Sequence, residues 1–319
     1  MASADRVVWN EGMMLVPQHF QQWQRWIGVE LRDRSQASSP FAWGFTACEL
    51  DRRALEGGQL AVQQCAGLLA DGTSFGCPDR DPLPPPRLIA EHLGAQQQNV
   101  TAYLALPVPA AGAAIYSERV DAVPYVVRRI RTTDDSRPET EREIATARLN
   151  FSLRFEGESM DGFATLPIAR VVRSGSGFVL DLDFMPPAIT LAAAPLATSI
   201  LRQVTGMLTQ KWSELAGKRR GGGGMAEAAG ILLLHTVGDS LPLLRHCLEH
   251  SQVHPEFAYL QLARLTAQLC TFHGRLTAND VPTYSHRTPG VSFQQLAKML
   301  QELLGEAAPS RCSELPMER

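Results

Sequence analysis

The stretch Phe163 to Gly217, FATLPIARVVRSGSGFVLDLDFMPPAITLAAAPLATSILRQVTGMLTQKWSELAG, holds the change on which the fold reading turns. Its first part, Phe163–Arg173 and Gly177–Phe184, is rich in β-branched and aromatic residues and is broken by turn signals, as strands are. Its second part sets Leu201, Val204, Leu208, Trp212 and Leu215 three or four residues apart, which predicts one face of an amphipathic helix from Leu191 to Gly217. The hydrophobic period therefore changes from that of a strand to that of a helix near residue 186.

Upstream, strand-like runs recur at Phe41–Leu50, Gln59–Leu68, Val100–Val108, Val123–Thr132 and Leu149–Glu156. With the two named above they predict a mainly β domain, a β-sandwich or a related all-β fold, over residues 1–185. Tyr125–Arg131 alternates only partly, which suits a strand with one wet face or a charged edge strand protected against pairing. The run Asp81–Arg87, DPLPPPR, reads as a stiff exposed connector outside any ladder.

Downstream, Gly221–Gly224 predicts a flexible loop. A second helix from Ala226 to Val237 is expected to stop at Gly238, with Asp239 or Ser240 capping a third through His250. Pro255 reads as the first residue of another helix, whose seam is Ala258, Leu262, Leu265, Leu269 and Phe272. A last helix, Val291–Leu304, buries Phe293, Leu296, Leu300 and Leu303. Short loops between such elements imply an α-helical bundle over residues 186–309. These leucine and aromatic rows are the bundle's own core. The first helix carries a surplus, because Leu196, Ile200, Met207 and Trp212 broaden its apolar arc, and that points to an oligomer made through the bundle.

The composition excludes several classes of function. The 319 residues are 45% hydrophobic and 20% charged, as in a globular protein of about two domains. A net charge of -3 offers no general attraction to nucleic acid or to an anionic membrane. There is no signal-like start and no apolar run long enough to span a bilayer, so a cytoplasmic protein is expected. Cys48, Cys65, Cys77, Cys247, Cys270 and Cys312 follow no zinc or disulfide spacing and read as reduced thiols.

Candidate chemistry is thin. Ser174-Gly175-Ser176-Gly177 lacks the nucleophile-elbow spacing and reads as a hairpin turn. The glycine run lacks the lysine and the serine or threonine of a phosphate-binding loop. His246, His250 and His254 fall at i, i+4 and i+8, but Pro255 disfavours helix at His254 and no carboxylate completes a metal motif. Asp134-Asp135 and Asp181-x-Asp183 read as turn or strand-face residues. The basic clusters Arg128-Arg129-Ile130-Arg131 and Lys218-Arg219-Arg220 have no interleaved aromatics for stacking bases, and read as a solvated strand face and a helix end. No catalytic residue, metal, cofactor, nucleic acid or small-molecule substrate is expected, and the chain does not read as an enzyme.

One segment resists the ordinary reading. Trp9, Met13, Met14, Leu15, Phe20, Trp23 and Trp26 crowd apolar bulk around Glu11, Gln18 and His19. The text Val8–Gln22, VWNEGMMLVPQHFQQ, resembles the opening signature of the type VI secretion baseplate TssK (ImpJ/VasE) family. In the helical half, Leu241–His246, Val253–Glu256 and Pro282-x-Tyr284-x-His286 with Phe293-x-x-Leu296 are similar to the same family's segments.

The resemblance implies a β-sandwich "shoulder" like that of phage receptor-binding proteins and a four-helix "neck". It also implies a homotrimer held by baseplate wedge subunits at the cytoplasmic face of the inner membrane. A third, C-terminal head domain of the family would contact the membrane complex. Residues 310–319 would be the start of that domain, which is otherwise missing here. The signature positions are Trp9, Glu11, Gly12, Leu15, Pro17, Gln18, His19 and Phe20. Two uses of them stay open: packing across the chain's own sandwich, or contact with a partner. A different class of function, a glycan-binding phage-tail-like β-sandwich, rests on fold analogy and on Trp23, Trp26 and Trp43.

Overall fold

Val100, Ala102, Leu104 and Leu106 are buried on one strand, and Leu153 and Phe155 on its neighbour, so alternation along the chain sets the inner face of a sheet. The computed structural model describes residues 5–94, 96–119, 122–175, 177–217 and 225–306. Ser176, Lys218-Arg219-Arg220, the glycine run 221–224, Cys312 and segment 310–319 lie outside the described residues. The chain divides into two compact units, residues 1–181 and 182–319.

The first unit opens with α1 (Pro17–Ser38) and is otherwise mainly β. Its strands are β1 (Gly44–Leu50), β2 (Gln59–Leu60), β3 (Val62–Leu68), β4 (Ser74–Cys77), β5 (Arg87–Leu88), β6 (Asn99–Pro107), β7 (Tyr116–Ser117), β8 (Tyr125–Asp134), β9 (Arg137–Leu149), β10 (Ser152–Phe155), β11 (Phe163–Ser174) and β12 (Gly177–Leu180). A single turn of helix, α2 (Arg52–Glu56), is capped by the Asp51 carboxylate, which accepts from the amides of Arg53 and Ala54.

The strands form sheets of order β1-β3-β4, β10-β6-β11-β12, β2-β5 and β7-β8-β9. Phe75 of the first sheet meets Phe45 at 5.8 Å and Phe151, beside β10, at 5.2 Å, so this sheet and the four-stranded one share a core. Strands β1 and β3 approach closely at Gly67, where a Cβ would stand 2.2 Å from the Gly44 carbonyl oxygen. Strand β11 shifts register between Pro167 and Ala169.

The proline-rich run is less detached than its composition implies. Asp81 is buried, and its carboxylate accepts from the amides of Gly76 and Leu149, at 3.2 and 3.0 Å. At the other end Arg87 pairs with Leu60 in the β2–β5 ladder. Arg87 also donates to Glu158 at 2.9 Å and to the Leu153 carbonyl at 3.0 Å. Prolines stop ladder bonds, but they do not stop the residues that flank them from being anchored.

The second unit is helical. A short 3-10 turn at Leu191–Ala193 leads into α3 (Pro195–Gly217), followed by α4 (Met225–Glu249), α5 (Pro255–Cys270) and α6 (Pro289–Glu306). Helix α3 neighbours α4 and α6, and α5 neighbours the same two. Ile200, Leu201, Val204, Leu208, Leu234, Val237, Leu244, Leu262, Leu265, Leu269, Phe293, Leu296 and Leu300 fill the space between them.

The expected break at Gly238 does not occur, and α4 runs through it and through Pro242. Glycine is there for packing, since a Cβ at 238 would meet the Trp212 ring at 2.5 Å. The surplus arc on α3 is also narrower than its sequence suggests. Ile200 is buried in the unit's own core, Leu196 and Met207 are half-buried, and only Trp212 is exposed, at 39%.

Candidate partner-binding segment

The signature segment folds on itself ahead of the sheets. Asn10 and Met13 close a turn through an amide-to-carbonyl bond, and Gly12 sits within it at φ 77°, where a side chain would be strained. Pro17 then starts α1 with the φ that a first helical residue needs. His19 reaches back so that its Nδ1 accepts from the Val16 amide at 3.2 Å, satisfying a donor at the helix start. Trp9 lies over this first turn, 6.1 Å from His19 and 6.4 Å from Phe20. Gln22 donates to the Asp5 carbonyl, and Arg6 stands 4.5 Å over the Trp26 ring.

These contacts hold the segment's shape without burying it. No residue of α1 is buried. Trp9 is 51% exposed, Leu15 55%, Phe20 49%, Trp23 45% and Leu31 63%, and Glu11, Pro17 and Gln18 are exposed as well. Phe20, Trp23, Ile27 and Leu31 lie at i, i+3, i+7 and i+11 and form one apolar stripe along the helix, with Trp9 continuing it at the start. Ordered apolar side chains are thus left exposed along one face of the helix. Neither the helix nor the stripe was foreseen from the sequence, although the spacing of Phe20, Trp23, Ile27 and Leu31 after Pro17 carries the signal.

The other candidates stay apart. His246 in the last turn of α4 and His250 just past its end pack at 4.4 Å and are exposed, whereas His254 caps α5 through the Glu256 amide and stacks on His286 at 5.5 Å. Among the described residues no group of three histidine, cysteine or acidic side chains is placed to hold a metal ion. Asp134 accepts from the Ser136 and Arg137 amides in a turn, and Asp181 pairs with Arg170 at 3.2 Å. Cys48, Cys65 and Cys77 line up across β1, β3 and β4. Burial, with a contribution from Glu49, pushes the Cys48 thiol up to about 12, and the hydrogen bond to Cys77 pushes Cys65 up as well. No described helix is long and apolar enough to cross a membrane.

The T6SS_VasE family model, described as bacterial type VI secretion, ImpJ and VasE, matches residues 19–319. The chain belongs to the T6SS_VasE family. It is 31% identical to the type VI secretion system baseplate component TssK1 of Pseudomonas aeruginosa, over 99% of this chain and 72% of that one. Among T6SS_VasE relatives of known structure, one solved in a TssK-TssF-TssG baseplate subcomplex superposes with a TM-score of 0.85 at 28% identity, covering 94% of this chain and 99% of that one. A chain of a type VI baseplate complex gives 0.86 at 28% identity, covering 96% and 70%. TssK from enteroaggregative E. coli bound to a nanobody gives 0.77 at 27%, covering 92% and 99%. The T6SS_VasE fold of β-rich first unit and helical second unit is thus shared with structural components of a secretion baseplate.

Proposed function

We propose that the chain is a non-enzymatic adaptor of the type VI secretion baseplate that works in the cytoplasm and docks wedge subunits through its first unit. The observation that carries this is the ordered stripe of Trp9, Phe20, Trp23 and Leu31 on a helix with no buried residue, in a chain whose relatives were solved within baseplate complexes. Desolvated aromatic anchors of this kind supply most of the free energy of a protein interface. In the same reading the helical unit is the neck of a homotrimer, with Trp212 and the half-buried Leu196 and Met207 on its outer side and Ile200 beneath them. The link to the inner-membrane complex through a further C-terminal domain rests on the family resemblance.

The test is co-purification with TssF and TssG proteins of a type VI baseplate, together with light scattering of the chain alone. The expected outcome is a trimeric mass and stable capture of both partners. Phe20→Glu with Trp23→Glu abolishes capture while leaving the circular dichroism spectrum and the trimer unchanged. A monomeric chain that also fails to capture TssF and TssG sinks the reading. A trimer that captures them equally well with both substitutions moves the docking surface elsewhere.

A further inference from the structure

Strands β8 and β9 form a two-stranded ribbon, and their register sorts its side chains into two unlike faces. Cross-strand partners in an antiparallel pair share a face. One face carries Arg129 opposite Ala145, Arg131 opposite Glu143 and Thr133 opposite Glu141. Its charges are paired: Arg129 reaches Glu118 at 3.0 Å and Glu143 at 3.6 Å, and Arg131 reaches Glu141 at 3.7 Å. The other face carries Val126 opposite Arg148, Arg128 opposite Thr146, Ile130 opposite Ile144 and Thr132 opposite Arg142. No carboxylate stands at those positions. Arg128, Arg142 and Arg148 make no ion pair among the described residues, and Ile144 is 44% exposed in their midst.

We propose that this arginine–isoleucine face is a docking surface for an acidic protein segment that presents carboxylates on either side of an apolar side chain. Charge complementarity selects the partner, since three guanidinium groups without acids attract carboxylates and can grip them with two parallel hydrogen bonds. The central isoleucine pair asks for an apolar side chain, which a nucleic acid backbone does not offer, and no aromatic on this face could stack a base. Three cations also fall short of the cluster of about four to eight that reads as anionic-lipid binding.

The ribbon itself supports the proposal. Its Tyr125–Leu149 end is packed, but from Arg128 and Ala145 outward most of its residues are exposed, where a hairpin is at best marginally stable, and beyond its short contact with β7 at Tyr125 and Val126 no other strand lies beside it among the described residues. Four rungs span roughly 20 Å, so the area is far below the ~800 Å² per partner of a standard interface, and the contact is weak or part of a composite one. The surface is separate from the α1 stripe and does not depend on it.

Fluorescence anisotropy tests the assignment, with a labelled peptide alternating glutamate and isoleucine titrated with the full chain at low salt. The expected result is saturable binding that weakens as salt rises. Arg128→Gln with Arg142→Gln weakens it about tenfold, and Ile144→Ser weakens it at constant charge. Arg129→Gln with Arg131→Gln removes the same charge from the paired face and leaves binding unchanged. If the arginine pairs were to unfold the ribbon, Ile144→Ser alone decides. Equal loss from both arginine pairs, an Ile144→Ser variant that binds as the parent does, or no saturable binding of the peptide overturns the proposal. So does tighter binding of a single-stranded oligonucleotide or of phosphatidylserine vesicles than of the peptide in the same assay.

Discussion

Asp81 sits in a proline-rich run, yet it ties the end of β9 to the turn after β4. Its carboxylate serves the Leu149 and Gly76 amides in a place from which water is excluded, with Arg80 as its counter-ion at 3.4 Å. Asp81→Ala leaves the buried Leu149 amide without an acceptor and is expected to cost about 1–3 kcal/mol, read as a lower urea midpoint at unchanged m-value. The sequence alone does not reveal such a role, since an aspartate before prolines looks like any exposed turn residue. Signature residues are a different case. Trp9, Leu15 and Phe20 stand out in the sequence through their resemblance to a family signature, but their exposure does not, because exposure depends on what the rest of the chain leaves uncovered.

Among the elements, α4 and β9 teach the limits of local signals. Gly238, Asp239 and Pro242 together spell a helix end and a new start, and Pro242 inside a helix costs about 3 kcal/mol. Burial of Leu234, Val237, Leu241 and Leu244 on the same face outweighs that, so tertiary packing carries the helix through. Gly230 and Gly238 then make a controlled comparison. Gly230→Ala, with nothing within 4 Å of the new Cβ, is expected to stabilise by about 0.5–1 kcal/mol. Gly238→Ala meets the Trp212 ring and is expected to lose that gain, and Trp212→Ala in the same chain restores it; thermal melts of these three variants and the parent measure this.

Strand β9 went unread for the opposite reason. Its text RPETEREIATARL is rich in glutamate, arginine and alanine, which are poor strand signals, and its long pairing with β8 makes it a strand. The seven strand segments read from sequence do correspond to β1, β2 with β3, β6, β8, β10, β11 and β12, where apolar alternation is strong.

For the whole molecule, acid stability is written into the first unit. Burial alone would raise the Glu158 carboxyl, but the Phe155 amide and Arg87 outweigh it and hold it below the ordinary glutamate value of 4.5. A depressed folded value means that the stabilisation is fully present above 4.5 and disappears as the pH falls through the lower value of the folded state. Urea midpoints followed from neutral pH downward are therefore expected to fall more steeply below 4.5 for the parent than for Glu158→Gln. Identical slopes would show that this carboxylate carries none of the acid response. A β-rich first part and a helical second part were legible from the period change near residue 186.

Pro167 bears on how this chain survives being made. It lies in the part of β11 that pairs with β6 but runs beyond the reach of β12. That stretch is the open margin of the four-stranded sheet, the place where a stray strand from another newly synthesised copy would add. A proline has no amide hydrogen to give to such an intruder, and the register shift beside it bends the margin out of the flat geometry that a further strand needs. The sheet is thus kept from growing by edge addition, and association is left to other surfaces.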